Sequence, residues 1–362
     1  MRTLAIEALA VRDFRNLEDV ELAPNPRFNV FSGDNGQGKT NLVEAIYVLA
    51  TSRSFRTAKP GDVVRHGGDV TSVRAKIREE GDLREQSVGL KAGARVARVD
   101  GKKPPSLAAY ALRTPVVVFH PGEISLSMGG GSERRRLLDR LALYARAGSL
   151  DDLERYQRAT RERQRALETR GTSASDLAEW EELMVTHGLA TMDVRAEAAA
   201  RLAVATVSVF SEIAAPGLKL DVAYAPGAPR DATMYRQALV DGRGSDLRRG
   251  GAGVGPHRDE LALRIDGRPV RGIASQGQHR AVVLALKSAE VHVVGSTRDA
   301  RPVLLLDDVS SELDRARTEA LFRFLQEQRG QVFLTTTRPE LIALSGGDRV
   351  DFRVDSGRVF RG

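Results

Sequence analysis

Eight residues near the start of the chain have the types and the spacing of a phosphate-binding loop. The string Gly33-Asp34-Asn35-Gly36-Gln37-Gly38-Lys39-Thr40 fits the pattern GxxxxGK[ST] at every fixed position. Its glycines let backbone N–H groups converge on phosphate oxygens. Lys39 can reach the β- and γ-phosphates of a nucleotide, and the Thr40 hydroxyl can bind Mg²⁺. The residues assigned to cofactor binding here are Gly33, Asn35, Gly36, Gly38, Lys39, Thr40 and Asn41.

A pair of carboxylates follows an aliphatic run far down the chain. Residues 302–306 read Pro-Val-Leu-Leu-Leu and end in Asp307 and Asp308. Such a run is typical of a central parallel strand that is buried on both faces, and ligands bind beyond the carboxyl ends of such strands. One acid there can hold Mg²⁺, directly or through water, and a second can orient the attacking water. We expect Asp307 to bind the metal with Thr40, and Asp308 to act in catalysis with Lys39.

A second possible phosphate cradle lies at residues 275–278, Ser-Gln-Gly-Gln, before a helical run from 279 to 294. A Ser and a Gly at a helix start favour phosphate binding at the helix N-terminus. Because the loop at 33–40 already supplies one cradle, the economical interpretation is that this one serves the nucleotide of another copy across a dimer interface. The contacts would then come from Ser275, Gly277 and Gln278. An ordinary helix N-cap is the alternative, because four residues alone are weak evidence.

Strands and helices must position these residues. Apolar spacing predicts a short buried strand at Phe28–Phe31 before the loop and a helix at Asn41–Leu49 after it. Asp307 lies 268 positions after Lys39, whereas compact P-loop kinases and small GTPases place the two elements much closer. A large insertion between them is therefore expected.

Three regions can be distinguished along the chain. Residues 1–120 are expected to form a first lobe around the phosphate loop, with strands near 3–10, 18–22, 28–32, 71–78, 86–91, 95–99 and 115–119 and a hairpin turn at Asp100-Gly101. Residues 121–215 predict an inserted helical arm, with helices from near Ser132, from about 150 to 169 and from Asp176. The third of these helices has a coiled-coil-like seam and packs on the first or kinks at Gly188. Residues 216–362 return to α/β, with a helix near 231–240, a Gly-rich loop at 248–253 and a strand at 261–265.

The composition is compatible with an intracellular, nucleic-acid-binding protein. The 362 residues carry a net charge of +7 and no Cys, so a disulfide framework and a thiolate metal site are excluded. No apolar run reaches the ~20 residues of a membrane helix, and the charged start argues against a signal peptide. We therefore expect a cytoplasmic protein without a membrane partner. Arginine-rich surfaces favour phosphate backbones, and an aromatic content of 5% argues against stacking of single-stranded bases.

The chain resembles the ABC-type ATPase heads and, within them, the SMC-like RecF family of bacterial DNA-repair proteins. The matching strings are DFRNL from Asp13, GDNGQGKTN from Gly33, SFRT from Ser54, GPHRD from Gly255, SQGQHR from Ser275 and LLLDDVSSELD from Leu304. The resemblance implies an α/β fold, namely an ABC-type P-loop ATPase head with an inserted helical arm, that uses ATP and Mg²⁺. It identifies residues 275–278 as the signature motif and Ser311–Asp314 as the D-loop. It also places Arg15 and Asn16 near the nucleotide base.

The resemblance further implies a biological role. Members of the family dimerise on ATP, and the chain would act on double-stranded DNA at junctions with single strands in recombinational repair. RecR, and RecO through it, would be its partners in loading the RecA recombinase. Two departures from general ABC heads predict slow hydrolysis. Residues 119–123, Phe-His-Pro-Gly-Glu, lack the glutamine of the lobe junction, and residues 335–337, Thr-Thr-Thr, lack the switch histidine.

The positions of DNA contacts and one alternative function stay open at this stage. Arg53, Arg56 and Lys59 have few acids nearby in sequence and are either DNA contacts or solvated side chains. A solvated, salt-bridged helix face is expected at Arg134–Arg136, Arg155, Arg158, Arg161, Arg163 and Arg165. His187 is expected to be a satisfied core histidine. The alternative function is the ATPase subunit of a membrane transporter, against which the helical arm, the threonine-rich switch and the arginine-rich surface argue. A small-molecule kinase is disfavoured by the distant acidic strand.

Overall fold

The computed structural model describes residues 1–213, 217–308, 315–342, 344 and 348–362. These residues form two compact units. Unit one comprises Met1–Glu123 and Glu290–Gly362, and unit two comprises Ile124–Ala289. The units differ from the three predicted regions, because residues 217–289 belong to the same unit as the helical arm rather than to the one that holds the acidic strand.

A six-stranded, mostly parallel sheet forms the centre of unit one. Its order is β14 (Arg358–Arg361), β13 (Arg349–Asp355), β3 (Phe28–Ser32), β12 (Val332–Thr336), β11 (Val303–Leu306) and β7 (Val116–Phe119). Only the edge strand β14 pairs antiparallel. All four residues of β11 are buried, which confirms the prediction of a central strand before Asp307. Helices α1 (Lys39–Thr51), α2 (Leu107–Ala111) and α9 (Arg315–Gln328) belong to the same unit.

A five-stranded antiparallel sheet shares a hydrophobic core with this parallel sheet. Its order is β2 (Leu17–Leu22), β1 (Leu4–Phe14), β4 (Thr71–Glu79), β5 (Asp82–Lys91) and β6 (Ala94–Val99). Alternating burial along β4 and β5 gives one face to the core and the other to solvent. The predicted turn is confirmed, because Asp100 and Gly101 both have positive φ, at 50° and 72°.

Unit two consists of helices and a three-stranded sheet. The helices are α3 (Ser125–Met128), α4 (Gly131–Ala145), α5 (Ser149–Arg170), α6 (Leu177–Ile213), α7 (Ala232–Arg249) and most of α8 (Gln276–Arg298), and the strands are β8 (Leu220–Ala225), β9 (Glu260–Ile265) and β10 (Arg268–Pro269). The predicted seam of α6 is confirmed, since Leu177, Met184, Thr191, Val194 and Ala198 are buried. None of the described helices is both long and apolar enough to cross a bilayer.

Several helix boundaries differ from those predicted. The N-cap of α4 is Gly130 rather than Ser132. Helix α6 runs through Gly188 without interruption, and Gly188 lies so close to the ring of Tyr235 that an added β-carbon would be 3.0 Å from it. Helix α7 continues to Arg249 and ends at Gly250, which supplies the left-handed cap. The Gly-rich loop is therefore limited to residues 250–253.

Two of the arginines expected on a solvated face are buried instead. Arg134 donates to Glu260 and to the carbonyl of Leu126. Arg163 is 1% exposed and donates to Glu181 at 3.0 Å and to Asp246 at 2.8 Å. Sequence could not show this, because all three acids come from other elements. The prediction for His187 is confirmed, since its Nδ1 lies 3.0 Å from Oδ1 of Asp152.

Candidate nucleotide site

The phosphate loop joins β3 to α1 in unit one, as predicted. Gly33, Gly36 and Gly38 have φ values of 148°, 80° and 118°, in a region that residues with a β-carbon rarely adopt. At Gly33 an added β-carbon would lie 2.2 Å from the carbonyl oxygen of Val354. Gly38 is the N-cap of α1, so the loop ends at a helix N-terminus that favours anions. Asn35 and Gly36 lie exposed at the outer part of the loop.

Lys39 is folded back onto the loop that it follows. Its Nζ donates to the carbonyl oxygens of Gly33 at 2.6 Å and Asp34 at 2.7 Å. Burial lowers the pKa of Lys39, while the carboxylates of Asp308, Asp307 and Asp34 act in the opposite direction. The side chain is thus a largely buried cation with loop carbonyls as its only close acceptors among the described residues.

The acidic strand meets the loop despite the long separation in sequence. Thr40 Oγ1 donates to Asp307 Oδ1 at 2.8 Å. Asp307 also accepts a hydrogen bond from Thr335 Oγ1 at 3.0 Å, and the same hydroxyl accepts from the backbone N–H of Asp308 at 2.9 Å. Burial raises the pKa of Asp307, which the bonds from Thr40 and Thr335 and the positive potential of His120 partly oppose. In the sequence, Thr335 was noted only because it stands where other ABC heads have the switch histidine. In the structure its hydroxyl makes hydrogen bonds to both Asp307 and Asp308.

The residues at this contact fit a bound Mg²⁺. A hydroxyl and a carboxylate oxygen, from Thr40 and Asp307, are hard donors of the kind that Mg²⁺ selects, and phosphates and water usually complete its coordination. Bound there, the ion would neutralise charge on the phosphates. Asp308 follows Asp307 with φ of 50°, a left-handed conformation that turns the chain sharply at the end of the strand.

A buried carboxylate that sequence reasoning missed connects three side chains beside the loop. Glu44 of α1 is 0% exposed, and it accepts from Arg15 Nε at 3.0 Å and Nη2 at 2.8 Å. Arg56 Nη1 donates to Glu44 at 3.0 Å and to Asn41 Oδ1 at 2.8 Å, and Ser54 Oγ donates to Glu44 at 2.5 Å. The sequence signal that could have identified this carboxylate was a single acid, Glu44, within the otherwise apolar helical run at positions 42–50.

This cluster changes the interpretation of the predicted DNA contacts. Arg56 is held by Glu44 and Asn41, so the expectation that it has few acids nearby was wrong for the folded chain, in which Glu44 is brought to it. Arg53 and Lys59 are exposed, and their side chains have no ion pair among the described residues. Arg15, expected near the base, donates to Glu44 and to the carbonyl of Asp62.

Asn16 lies against the phosphate loop. Its Nδ2 donates to the carbonyl of Gln37 at 3.1 Å, and its Oδ1 accepts from Asn41 Nδ2 at 2.8 Å.

Residues 119–123, which lack the glutamine expected at the lobe junction, are connected to the site through His120. The His120 ring is 4.9 Å from that of Phe55 between centroids, and its potential acts on Asp307.

The predicted signature motif lies in unit two, at the start of α8. Ser275 Oγ accepts from the backbone N–H of Gln278 at 3.2 Å, and Gln278 Oε1 accepts from the N–H of Ser275 at 2.8 Å. This reciprocal pair of hydrogen bonds is a capping box, so Ser275 acts as an ordinary helix N-cap within its own chain, which was the alternative interpretation. Ser275 is exposed, with Gly277 in the first turn, and its contact with the phosphate of another copy stays a prediction. The proposed D-loop, Ser311–Asp314, lies outside the described residues.

Comparison with protein families and curated proteins gives consistent matches. The model of the RecF/RecN/SMC N terminal domain matches residues 5–351. The DNA replication and repair protein RecF of Anaeromyxobacter sp. (strain Fw109-5) is 41% identical over 362 residues, which cover 97% of this chain and 98% of that protein. The protein of the same name from Geobacter sp. (strain M21) is 36% identical over 359 residues, with coverage of 97% and 98%.

Solved structures agree with these matches. The recombination mediator protein RecF-ATP in the RecFOR pathway has a TM-score of 0.89 and 28% identity, with 100% of each chain covered. The Smc head domain of Pyrococcus furiosus, bound to the C-terminal domain of ScpA, has a TM-score of 0.57 and 15% identity, with 99% of this chain and 96% of that chain covered, and shares the fold. The chain therefore belongs to the RecF family, within the RecF/RecN/SMC N terminal domain group, and has the fold of an ABC-type ATPase head.

Proposed function

We propose that this protein binds ATP with Mg²⁺ at the phosphate loop and hydrolyses it slowly. The observation that carries the proposal is the 2.8 Å contact between Thr40 and Asp307, which unites the loop with the end of β11. Lys39 would hold the β- and γ-phosphates, Thr40 and Asp307 would bind Mg²⁺, and Asp308 would orient water. Gly33, Asn35, Gly36, Gly38 and Asn41 would line the phosphates, with Arg15 and Asn16 beside them.

The nucleotide would act as a switch for dimerisation. Ser275, Gly277 and Gln278 would contact the γ-phosphate held by a second copy, because each chain has one nucleotide loop and a second, exposed helix N-terminus. The dimer would close on double-stranded DNA near a junction with a single strand, in recombinational repair in the cytoplasm. Its partners would be RecR, and RecO through it, in the loading of RecA. Relatives named for DNA replication and repair, and a RecF-ATP structure assigned to the RecFOR pathway, support this role.

The shared site can be tested by mixing two inactive variants. Ser275→Arg should leave ATP affinity of the monomer largely intact but prevent ATP-induced dimerisation and hydrolysis. Lys39→Met should lose ATP binding. A mixed dimer has one composite site with both defects and one with neither, so mixing should partly restore hydrolysis. If mixed dimers form at every ratio without any recovery, the site is not shared between copies.

The DNA switch can be tested by salt titration of duplex binding with and without ATP. Each phosphate neutralised should contribute about −0.9 to the slope of log K against log[salt], so closure on ATP should steepen the slope. Replacing Arg53 and Lys59 together by Ala should flatten the ATP-state slope by up to about two contacts. The matched control replaces Arg155 and Arg158, which are also exposed and lie on α5. Equal slopes with and without ATP would exclude the clamp, and an equal loss in the control would place the surface elsewhere.

A further inference from the structure

The tip of the C-terminal hairpin lies against the outside of the phosphate loop. Strands β13 and β14 are joined at Ser356 and Gly357, whose φ values of 49° and 78° make a tight hairpin turn. The backbone N–H of Ser356 donates to Gln37 Oε1 at 2.6 Å, and the N–H of Gly357 donates to the Gln37 carbonyl at 2.9 Å. The string GxxxxGK[ST] leaves position 37 unspecified, and nothing in the sequence connects it to residues 319 positions later.

The Gln37 carbonyl has a second donor on the same side. Asn16 Nδ2 donates to it at 3.1 Å, so the two lone pairs of this oxygen are both engaged. The carbonyl of Asn16 in turn lies so close to Gly357 that a β-carbon added there would be 2.1 Å from it. We call Asn16, Gln37, Ser356 and Gly357 the loop brace.

The brace fixes the orientation of a peptide group inside the phosphate loop. The Gln37–Gly38 peptide is trans, as are all the described peptides. In a trans peptide the C=O and the following N–H point in opposite directions. Because two donors hold the Gln37 carbonyl toward the hairpin and Asn16, the N–H of Gly38 must point away from them. Gly38 is also the N-cap of α1, where unsatisfied N–H groups are available to phosphate.

We infer that Gln37, Ser356 and Gly357 are positioning residues for nucleotide binding, which keep the Gly38 N–H directed at the phosphate before ATP arrives. The inference rests on the proposed ATP site and adds the C-terminal hairpin to it. A preformed donor contributes to affinity because no reorganisation accompanies binding. Loss of the brace should therefore weaken ATP binding without a matching loss of global stability.

The sharpest test compares two glycines in matching turns. Gly357→Ala places a β-carbon against the Asn16 carbonyl, whereas Gly101→Ala occurs in the Asp100-Gly101 turn at φ of 72° with no atom within 4 Å of the new β-carbon. Both substitutions carry the same backbone strain, and Gly357→Ala adds the collision with the Asn16 carbonyl, so urea midpoints without nucleotide measure the stability that the collision removes and show that both variants are folded. The Kd for Mg-ATP should rise about tenfold in Gly357→Ala relative to Gly101→Ala, as expected from the loss of one or two hydrogen bonds.

Gln37→Ala provides a second variant that creates no collision. It removes the acceptor of the Ser356 N–H and should also raise the Kd several-fold. Ser356→Ala keeps that N–H and removes only the longer contact from the Ser356 hydroxyl to Gln37 at 3.3 Å, so it should raise the Kd less than Gln37→Ala does. If Gln37→Ala and Gly357→Ala act through one contact, the Kd of the double variant for Mg-ATP should be no higher than that of the single variant with the higher Kd.

Two failures are distinguishable. If the wild type binds ATP no better than Lys39→Met, the proposed nucleotide site is wrong and the brace has nothing to position. If the wild type binds ATP but Gly357→Ala matches Gly101→Ala, or the losses of Gln37→Ala and Gly357→Ala multiply in the double variant, the site stands and the brace is refuted.

Discussion

Replacing Glu44 by Gln should destabilise unit one and change the environment of the nucleotide loop. The carboxylate is completely buried and accepts four hydrogen bonds, two from Arg15 and one each from Arg56 and Ser54. An amide in its place has one acceptor oxygen. If the amide nitrogen takes the position of Oε2, it faces donors on both arginines. If it takes that of Oε1, it faces Arg15 Nη2, which is a donor, and the Ser54 hydroxyl, which already accepts from the N–H groups of Arg56 and Thr57.

The magnitude follows from what is lost and from what water can restore. Removing one partner of a buried ion pair costs about 3–5 kcal/mol. Here the side chains of Arg15 and Arg56 are 22% and 41% exposed, so water can solvate part of the guanidinium groups once the charge is gone. We therefore expect Glu44→Gln to lower the free energy of unfolding by about 2–3 kcal/mol.

The assay is urea unfolding without nucleotide, with hydrogen exchange in α1 identifying the transition of unit one. Glu85→Gln is the matched control, because Glu85 pairs with Arg74 only at 3.7 Å on the exposed face of the antiparallel sheet. Its effect should stay within about 0.5 kcal/mol. Equal stability of Glu44→Gln and the wild type would show that Arg56 does not rest on Glu44 in solution. Arg56 would then be available as a DNA contact together with Arg53 and Lys59.

Three further outcomes are expected. Lys39→Met should abolish tight ATP binding, whereas Asp308→Asn should bind ATP and keep it bound for longer; equal loss of binding of labelled ATP in both would contradict the separate roles. Thr335→Val removes the hydroxyl between Asp307 and Asp308 and should slow hydrolysis more than it weakens ATP binding, whereas Thr335→Ser should behave as the wild type in the same assays. Burial lowers the pKa of His257. Its Nδ1 accepts from the Tyr156 hydroxyl and its Nε2 donates to the Ala252 carbonyl. The charged groups that act on it are Arg258, Arg135 and Asp259. Since the unfolded chain then binds the proton more readily, stability should fall as pH drops below about 6.5, and thermal unfolding of His257→Asn should show a smaller fall.

The parts of the site that sequence could predict are those whose chemistry is written in one continuous string. The phosphate loop combines its glycines, lysine and threonine within eight residues, and β11 combines four buried aliphatics with the acids that follow. These features do not depend on which other segment lies nearby, so periodicity and motif spacing were sufficient.

The supporting residues could not be predicted because their roles depend on contacts across the chain. Thr335 acts on Asp307 because β12 pairs with β11 in parallel, with Leu306 opposite Leu334. Glu44 attracts Arg15 and Arg56 because the turn after β1 and the segment after α1 converge on one face of that helix. The same reason explains the errors for Arg134 and Arg163, whose acids come from β9, α6 and α7.

The polar groups of the nucleotide site bond to one another. Lys39 is bonded to loop carbonyls, Thr40 to Asp307, and Arg56 to Glu44 and Asn41. In the proposed function, ATP and Mg²⁺ would take up some of these groups in place of their present partners, and an exchange of hydrogen bonds alone yields little net free energy. The gain in binding free energy would have to come from charge. The triphosphate would offer Lys39 a full negative charge, which the loop carbonyls lack. A cation held by Thr40 and Asp307 would also offset the unfavourable burial of the Asp307 carboxylate. Groups that need no exchange, such as the Gly38 N–H held by the brace, then contribute to affinity without opposing cost, which is why a hairpin more than 300 residues from the loop matters to it.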